Sequence, residues 1–259
     1  MTKALVIASH KGGTGKTTTA ATLGAGLALR GFRVLVVDLD AQGNLADFLG
    51  KEPAPGLFRL LIERAPLAEV VIPSGRPNLD ILPGNYQTAE AAALLVAAPG
   101  VDTRLKRALA GAPYDWLLFD TAPSLGLLQT LAFVAGDLLL VPTELAFASG
   151  LGVAQVLRTV AALRQDVDLA LDLVGILPTK WDRRLSESAA QLKALADRYP
   201  GRVWLPIPTD AKVTEAPAFG QTLWEYAPSC AALVGRESDG QMIGGYTQAL
   251  DRLLAEVKR

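Results

Sequence analysis

Short apolar runs rich in Val, Ile and Leu alternate along the chain with longer, Ala- and Leu-rich segments of helical periodicity. The short runs predict strands over residues 4–9, 34–40, 79–82, 116–121, 137–141, 171–177 and 203–207. The longer segments predict helices over residues 16–30, 88–97, 103–110, 125–135, 152–164, 186–199 and 246–257. Several strands are apolar throughout, which is typical of strands covered by helices on both faces. The alternation therefore predicts an α/β fold with a doubly wound, mostly parallel sheet.

Turn-forming residues interrupt this pattern without dividing it into units. Segments 53–56 and 73–77 are rich in Pro and Gly and are predicted as surface turns rather than domain boundaries. Segment 229–245 has several glycines and mixed charges, so it is predicted as an irregular stretch before the last helix. We therefore expect one domain over residues 1–259.

Composition narrows the class of protein. The 259 residues are 50% hydrophobic, which is ample for a buried core, and no run approaches the roughly 18 apolar residues of a membrane span. Residues 4–8 are too few for a signal peptide. The single Cys230 and single His10 exclude an internal disulfide and a His-rich or all-thiolate metal site within one chain. We expect a cytoplasmic protein, and its net charge of −1 gives no sign of a nucleic-acid partner.

A glycine-rich segment between the first predicted strand and helix is typical of a phosphate-binding loop. Residues 9–19 read Ser-His-Lys-Gly-Gly-Thr-Gly-Lys-Thr-Thr-Thr. Small glycines let backbone N–H groups approach phosphate oxygens at a helix N-terminus. In this pattern Lys16 faces the β- and γ-phosphates and the Thr17 hydroxyl is a ligand of Mg²⁺. The predicted nucleotide-binding residues of the loop are Lys11, Gly12, Gly13, Thr14, Gly15, Lys16, Thr17 and Thr18. His10 stands where the strict P-loop pattern has its first glycine.

Lys11 is a second lysine that one nucleotide site does not need. With it, Lys-Gly-Gly-Thr-Gly-Lys-Thr-Thr resembles the deviant Walker A box of the ParA/MinD/Soj ATPase family. The resemblance implies that ATP and Mg²⁺ are the cofactors. It also implies that Lys11 crosses a homodimer interface to the partner's nucleotide, so that Lys11 and Lys16 act together in catalysis.

Two strand ends extend the resemblance. Residues 36–44 resemble the family's switch I, which implies that Asp40 positions the attacking water and Asp38 supports the metal site. Residues 116–124 form an apolar strand ending in Asp120, a Walker B pattern that resembles switch II. That match implies that Asp120 accepts a hydrogen bond from a Mg²⁺-bound water.

The resemblance continues through the second half of the chain. Residues 205–208 and 215–220 resemble an Ile-Pro…Glu-Ala-Pro-Ser-x-Gly block that is common in ParA-type partition proteins and rarer in MinD. The match implies a nucleotide-binding role for Pro208. The predicted last helix has an apolar stripe but few basic or bulky groups, so we expect it to pack on the sheet rather than bind a membrane.

Basic residues after the sixth predicted strand suggest a DNA surface. The candidates are Lys180, Arg183, Arg184 and Lys212. The first strand begins at residue 4, so no helix-turn-helix is expected before it. A two-fold dimer would double the phosphate contacts, and non-specific affinity rises steeply with their number. Thr179-Lys180-Trp181-Asp182 is also a short, weak match to the base-recognition box of other P-loop proteins.

The sequence therefore predicts a ParA-type ATPase for plasmid or chromosome partition. By the resemblance, its MgATP-bound dimer binds nucleoid DNA without sequence preference, and a ParB-like centromere-binding protein stimulates hydrolysis. Two alternatives stay open: a MinD-like, membrane-recruited spatial regulator, and a metabolic P-loop enzyme related to dethiobiotin synthetase.

Overall fold

The computed structural model describes residues 2–123, 126–145, 149–182, 185–238 and 241–258. The strands are β1 (Lys3–Ile7), β2 (Val34–Leu39), β3 (Ile72–Arg76), β4 (Leu79–Leu82), β5 (Trp116–Thr121), β6 (Leu138–Glu144), β7 (Asp172–Thr179), β8 (Arg236–Ser238) and β9 (Gln241–Ile243). The helices are α1 (Lys16–Leu29), α2 (Asn44–Phe48), α3 (Gly56–Phe58), α4 (Leu67–Val70), α5 (Gln87–Leu95), α6 (Arg104–Ala108), α7 (Leu127–Ala135), α8 (Ser149–Asp166), α9 (Ser186–Arg198), α10 (Lys212–Ala218), α11 (Leu223–Tyr226), α12 (Ala231–Val234) and α13 (Tyr246–Val257). A π-helical turn (Arg59–Glu63) follows α3, and a 3₁₀ turn (Val101–Thr103) precedes α6.

The main sheet has the strand order β3-β4-β2-β5-β1-β6-β7. All neighbouring strands in it are parallel except β3 and β4, which form an antiparallel edge pair. The order runs outward in both directions from the centre of the sheet, as in doubly wound folds. The predicted α/β class and mostly parallel sheet are confirmed. In this topology the carboxyl ends of the parallel strands meet at one edge.

Three local expectations were wrong. The predicted strand at 203–207 contributes only an isolated bridge to β7, because Pro206 and Pro208 have no N–H group to donate to a ladder. Segment 73–77, predicted as a turn, lies largely in β3, an edge strand with an irregularity between Pro73 and Arg76. Segment 229–245, predicted as irregular, contains α12 and the β8–β9 hairpin.

Hydrophobic cores cover both faces of the sheet. Alternate residues of β1 divide between them: Leu5 belongs to the core under α1 and α13, and Val6 to the core under α7 and α8. A Cβ atom on Gly26 of α1 would lie 2.8 Å from a Leu250 methyl carbon, so this glycine permits the close approach of α1 and α13. The apolar side of α13 is buried there, as expected. Within the described ranges, no helix combines the length and apolar character that crossing a bilayer requires.

The centre of the sheet should be intolerant of cavities. Phe119 of β5 is fully buried, and we expect Phe119→Ala to lower the free energy of unfolding by about 3–5 kcal/mol. Leu29→Ala is the control, because Leu29 is 69% exposed and its loss should cost less than about 0.5 kcal/mol. Urea denaturation measures both. Equal effects of the two substitutions would contradict this description of the core.

Candidate functional site

The segment between β1 and α1 forms a phosphate-binding loop at the carboxyl edge of the sheet. Gly13 and Gly15 have φ angles of 73° and 85°, in the left-handed region that glycine adopts without a steric penalty. Gly15 is the N-cap of α1, so the first N–H groups of the helix face the loop. The Thr179 hydroxyl, at the end of β7, donates to the Thr14 carbonyl oxygen at 2.9 Å. This bond ties the loop to a neighbouring strand end.

A cleft of about 670 Å³ opens beside this loop. It is lined by the predicted residues Gly12, Gly13, Gly15, Lys16, Thr17, Thr18, Asp40 and Pro208. Thr14 and Lys11, which were also predicted, do not line it: Thr14 is buried beneath the loop and Lys11 lies outside the cleft. The volume lies within the range of small-molecule pockets.

Several residues that were not among the predicted site residues also line the cleft: Asn44, Asp47, Phe48, Pro123, Thr179, Ile207, Thr209, Asp210, Val213, Thr214, Pro217 and Tyr246. Phe48 and Ile207 give the cleft an apolar side, and both residues are far from Lys16 in the sequence. Both residues fit the hydrophobic pattern of core positions, so the sequence gives no separate sign that they line a cleft. Tyr246 is anchored by a hydrogen bond of 3.2 Å to the Thr19 hydroxyl of α1.

Two carboxylates are buried behind the cleft. Asp38 and Asp120 are register partners on the parallel strands β2 and β5, and both are almost fully inaccessible. Burial raises the pKa of Asp120 to about 7, although a hydrogen bond from Thr17 opposes the rise. Burial, reinforced by Asp120, also raises the pKa of Asp38 well above its usual range. The strand ends thus bring together the acidic residues predicted for the metal site.

Asp38 and Asp120 differ in their hydrogen bonds. The Asp38 carboxylate accepts from the backbone N–H groups of Asp40 (3.0 Å) and Leu45 (3.1 Å) and so fixes the loop that carries Asp40. In contrast, Asp120 Oδ1 is buried without a hydrogen-bond partner. An unpaired carboxylate oxygen beside the Thr17 hydroxyl suits Mg²⁺, which prefers hard oxygen ligands. Asp38 therefore fixes the loop that follows it, whereas Asp120 keeps one carboxylate oxygen without a partner close to Thr17.

The protein groups alone do not form a complete metal site. Within the described ranges, no cluster of three or more His, Cys, Asp or Glu side chains is placed to hold a metal ion. That donor set fits Mg²⁺ bound together with a nucleotide, since this ion commonly takes one or two protein ligands plus phosphate oxygens and water.

Lys16 supplies the positive charge of the cleft. It is the first residue of α1, and its side chain is 7% exposed. Burial lowers the pKa of Lys16, while Asp120 and Asp40 act in the opposite direction. A buried ammonium group at a helix N-terminus is placed to bind an anion.

Lys11 and Lys180 flank one carboxylate. Lys11 Nζ lies 2.8 Å from Glu144 Oε2, and Lys180 Nζ lies 4.0 Å from Glu144 Oε1. The hydrogen bond from Lys11 lowers the pKa of Glu144. Lys11 has a side chain 59% exposed, so its ammonium group is accessible from outside its own cleft.

The predicted DNA contacts do not form one basic face in the described residues. Lys180 lines the nucleotide cleft, 3.8 Å from the position of a Cβ atom on Gly13. Lys212 begins α10, where it pairs with Glu215 at 2.6 Å and lies over the Tyr226 ring. Arg183 and Arg184 lie outside the described residues. A DNA role for these four residues stays a prediction.

Comparison with known proteins gives consistent relatives. A family model described as an AAA domain matches residues 2–173. The chain is 33% identical to the chromosome partitioning protein ParA of Caulobacter vibrioides, over 92% of this chain and 96% of the relative. It is 38% identical to the chromosome-partitioning ATPase Soj of Thermus thermophilus, over 87% of this chain and 88% of the relative.

Solved structures share the fold. Apo McdA from Cyanothece is similar with a TM-score of 0.85 and 25% identity, over 99% of this chain and all of that chain. Cobyrinic acid a,c-diamide synthase from Mycobacterium smegmatis, with a bound ATP analogue and magnesium, has a TM-score of 0.76 and 34% identity. That match covers 88% of this chain and 97% of the other.

The raised pKa of Asp120 should make stability depend on pH. Between the ordinary value of 3.8 and about 7, the native state holds a proton on Asp120 that the unfolded chain has lost. Stability without nucleotide or divalent cation should therefore fall as the pH rises through this window. We expect Asp120→Asn to become more stable than wild type as the pH rises, by up to about 1.4 kcal/mol per pH unit. Urea denaturation at several pH values measures this, with exposed Asp197→Asn as the control; a constant difference would contradict the assignment.

Proposed function

Because the chain belongs to the ParA/Soj family of partitioning ATPases, we propose that it is an ATP-driven partition protein whose MgATP-bound homodimer binds DNA. The observation that carries the proposal is the division of charge at the carboxyl edge of the sheet. Lys16 lines the cleft, Asp120 is buried behind it, and Lys11 lies outside it with an accessible ammonium group. In this proposal residues 1–259 act as one ATPase domain.

Each part of the cleft has a role in ATP hydrolysis. The N–H groups of the loop and the Lys16 ammonium bind the phosphates. The phosphates in turn compensate the positive charge of Lys16, which burial leaves with few partners. Thr17 and Asp120 hold Mg²⁺, which would offset negative charge on the phosphate oxygens. Asp40 lines the cleft with its loop fixed by Asp38, so it is placed to orient the attacking water. Phosphoryl transfer depends mainly on such positioning.

Dimerisation follows from the placement of Lys11. A lysine outside its own cleft cannot contribute to the nucleotide of that protomer in this arrangement. In a face-to-face dimer it would reach the partner's phosphates, exchanging its ion pair with Glu144 for contacts with a more highly charged anion. ATP would thereby join the two protomers, and hydrolysis would release them.

In this proposal the dimer acts by binding DNA. The chain has a net charge of −1, so attraction to DNA must come from a local surface, doubled by the two-fold axis. In this proposal the protein is located on the nucleoid, and a ParB-like centromere-binding protein stimulates hydrolysis. The names of the ParA and Soj relatives support a partition role.

The two alternative functions require different structural features. A MinD-like regulator needs a free amphipathic anchor, whereas α13 buries its apolar side against α1. A metabolic enzyme has one specific observation in its favour, the 34% identity to a protein named as a diamide synthase. That reading gives Lys11 no role.

ATP hydrolysis in the absence of any small-molecule substrate tests the proposal directly. We expect phosphate release from MgATP by the wild type, accelerated by duplex DNA together with a centromere-binding partner. Lys16→Ala should abolish it, and exposed Lys106→Ala should not. Hydrolysis that requires a carboxylic-acid substrate and ammonia or glutamine would instead support the metabolic reading.

Substitution of Lys11 should separate nucleotide binding from dimerisation. We expect Lys11→Ala to retain binding of a fluorescent ATP analogue, because Lys11 does not line its own cleft. The variant should remain monomeric with MgATP by light scattering, and its turnover should be lost. Lys106→Ala is the matched control. A Lys11→Ala protein that dimerises like the wild type would rule out the shared nucleotide site.

Asp40→Ala should slow chemistry without preventing assembly. The substitution removes the proposed water-orienting carboxylate and leaves the phosphate and metal groups in place. We expect turnover to fall roughly a hundredfold or more, with an ATP-bound dimer that persists on size-exclusion chromatography. Asp47→Ala is the control, because Asp47 lines the same cleft from α2. Wild-type turnover in Asp40→Ala would show that another residue orients the water.

DNA binding should require ATP and weaken steeply with salt. The slope of log K against log salt is about −0.9 for each neutralised phosphate. We expect Lys212→Gln to make the slope shallower by about one to two units per dimer, since the axis presents Lys212 twice while Glu215 offsets part of its charge. Arg30→Gln, which breaks a similar exposed ion pair with Asp251, is the control. Equal binding in ADP and ATP, or strong preference for one duplex, would contradict the mechanism.

A further inference from the structure

A second groove lies at the opposite edge of the sheet from the nucleotide cleft. It has a volume of about 490 Å³ and lies between the turn that follows Glu63 and helix α6. Helix α6 leads into the beginning of β5, whereas the nucleotide cleft lies where the strands end. The two cavities share no lining residue. This groove, which we call the arginine groove, is therefore separate from the ATPase site.

Three guanidinium groups, those of Arg64, Arg104 and Arg107, line the arginine groove, and among the residues that the structure describes no carboxylate does. In the part of the chain that the structure describes, none of the three forms an ion pair. The nearby acidic residues Glu63 and Glu69 are paired with Arg59 instead. The groove consequently concentrates positive charge in a protein whose net charge is −1.

Two of the arginines are held in energetically unfavourable arrangements. Arg104 Nε is buried and has no hydrogen-bond acceptor, which is unfavourable for a charged group. Arg64 has a φ angle of 58°, a left-handed conformation that is unfavourable for a residue with a Cβ atom. Arg107 donates to the Gly100 carbonyl at 3.0 Å, which fixes its direction. Arg64 and Arg107 are exposed and Arg104 is half-buried, so an anion in the groove can contact their side chains.

The rest of the lining indicates the class of anion. Buried Leu60 and the neighbouring Leu67 and Pro99 give the groove an apolar part. A phosphate ion would leave this part uncontacted. The convex backbone of duplex DNA has no apolar group to place there. No aromatic side chain lines the groove, so a nucleotide base would find no ring to stack on.

We propose that the arginine groove binds a short acidic segment of a partner protein, with carboxylates on the guanidinium groups and an apolar side chain on the floor. Guanidinium forks match carboxylates in a bidentate manner, and an alternating acidic and apolar peptide presents both features. The groove thus supplies a partner-docking surface that does not compete with ATP. This inference is independent of the partition role.

Fluorescence anisotropy at low salt tests the proposal with a labelled peptide of alternating Glu and Leu. The same peptide with Gln in place of Glu is the charge control. We expect the acidic peptide to bind and the amide peptide to bind at least tenfold more weakly. No binding at millimolar peptide would overturn the proposal. Displacement of the peptide by equal or lower concentrations of inorganic phosphate or of unrelated duplex would also overturn it.

Variants locate the binding site. Arg104→Gln should weaken the peptide about tenfold, because bonds between charged partners are the stronger class. Arg64→Gly should weaken it similarly while leaving the urea midpoint unchanged or higher, since glycine adopts the left-handed conformation freely. Arg158→Gln removes an equal charge from exposed α8 and is the matched control. Equal weakening by Arg158→Gln would show non-specific charge attraction and overturn the site. ATP hydrolysis should be unchanged in all three variants.

Discussion

The parallel register of β2 and β5 is the constraint on which the site depends. It places Asp38 directly opposite Asp120 in the interior, where two carboxylates can both ionise only against compensating positive charge. Lys16 and Thr17 meet Asp120 from the start of α1, and Asp38 uses its oxygens to hold the following loop. Under the proposed function, this arrangement suits a ligand that brings both a cation and phosphate oxygens. The pairing of β2 with β5 therefore determines which chemical groups meet at the site.

Under the proposed function, the same edge of the sheet would connect one protomer to the next. β6, which ends in Glu144, pairs with β1, from which the phosphate loop begins, and β7, which ends in Thr179, pairs with β6. Thr179 secures the loop from within, and Glu144 holds Lys11 on the outside. A conformational response to nucleotide can thus reach Lys11 through two short contacts. Under the proposed function, the ion pair with Glu144 must exchange for contacts across the dimer.

The sequence predicted the parts of the site that lie at strand ends and failed where distant segments meet. The phosphate loop and Asp120 follow from apolar runs that stop at polar residues, a local signal. Lys180 was predicted for a DNA surface, and only the weak base-recognition match at residues 179–182 pointed to the nucleotide side; the pairing of β7 with β6, which brings Lys180 close to Gly13, is not visible in the local sequence. The arginines of the second groove are up to 43 residues apart in the chain and are brought together only by packing of α6 against the π-helical turn. The strand predicted at 203–207 was wrong because proline has no N–H group for strand pairing, and a pattern of apolar residues does not take this into account.

Under the proposed function, ATP joins two protomers through their phosphate loops. Sedimentation velocity of the wild-type protein in MgATP, in MgADP and in ATP with excess chelator tests it most directly. The account predicts a dimer in MgATP alone and a monomer in the other two conditions, because the γ-phosphate and the cation are both needed at the interface. A monomer in all three conditions, or a dimer that ignores the nucleotide, would contradict it.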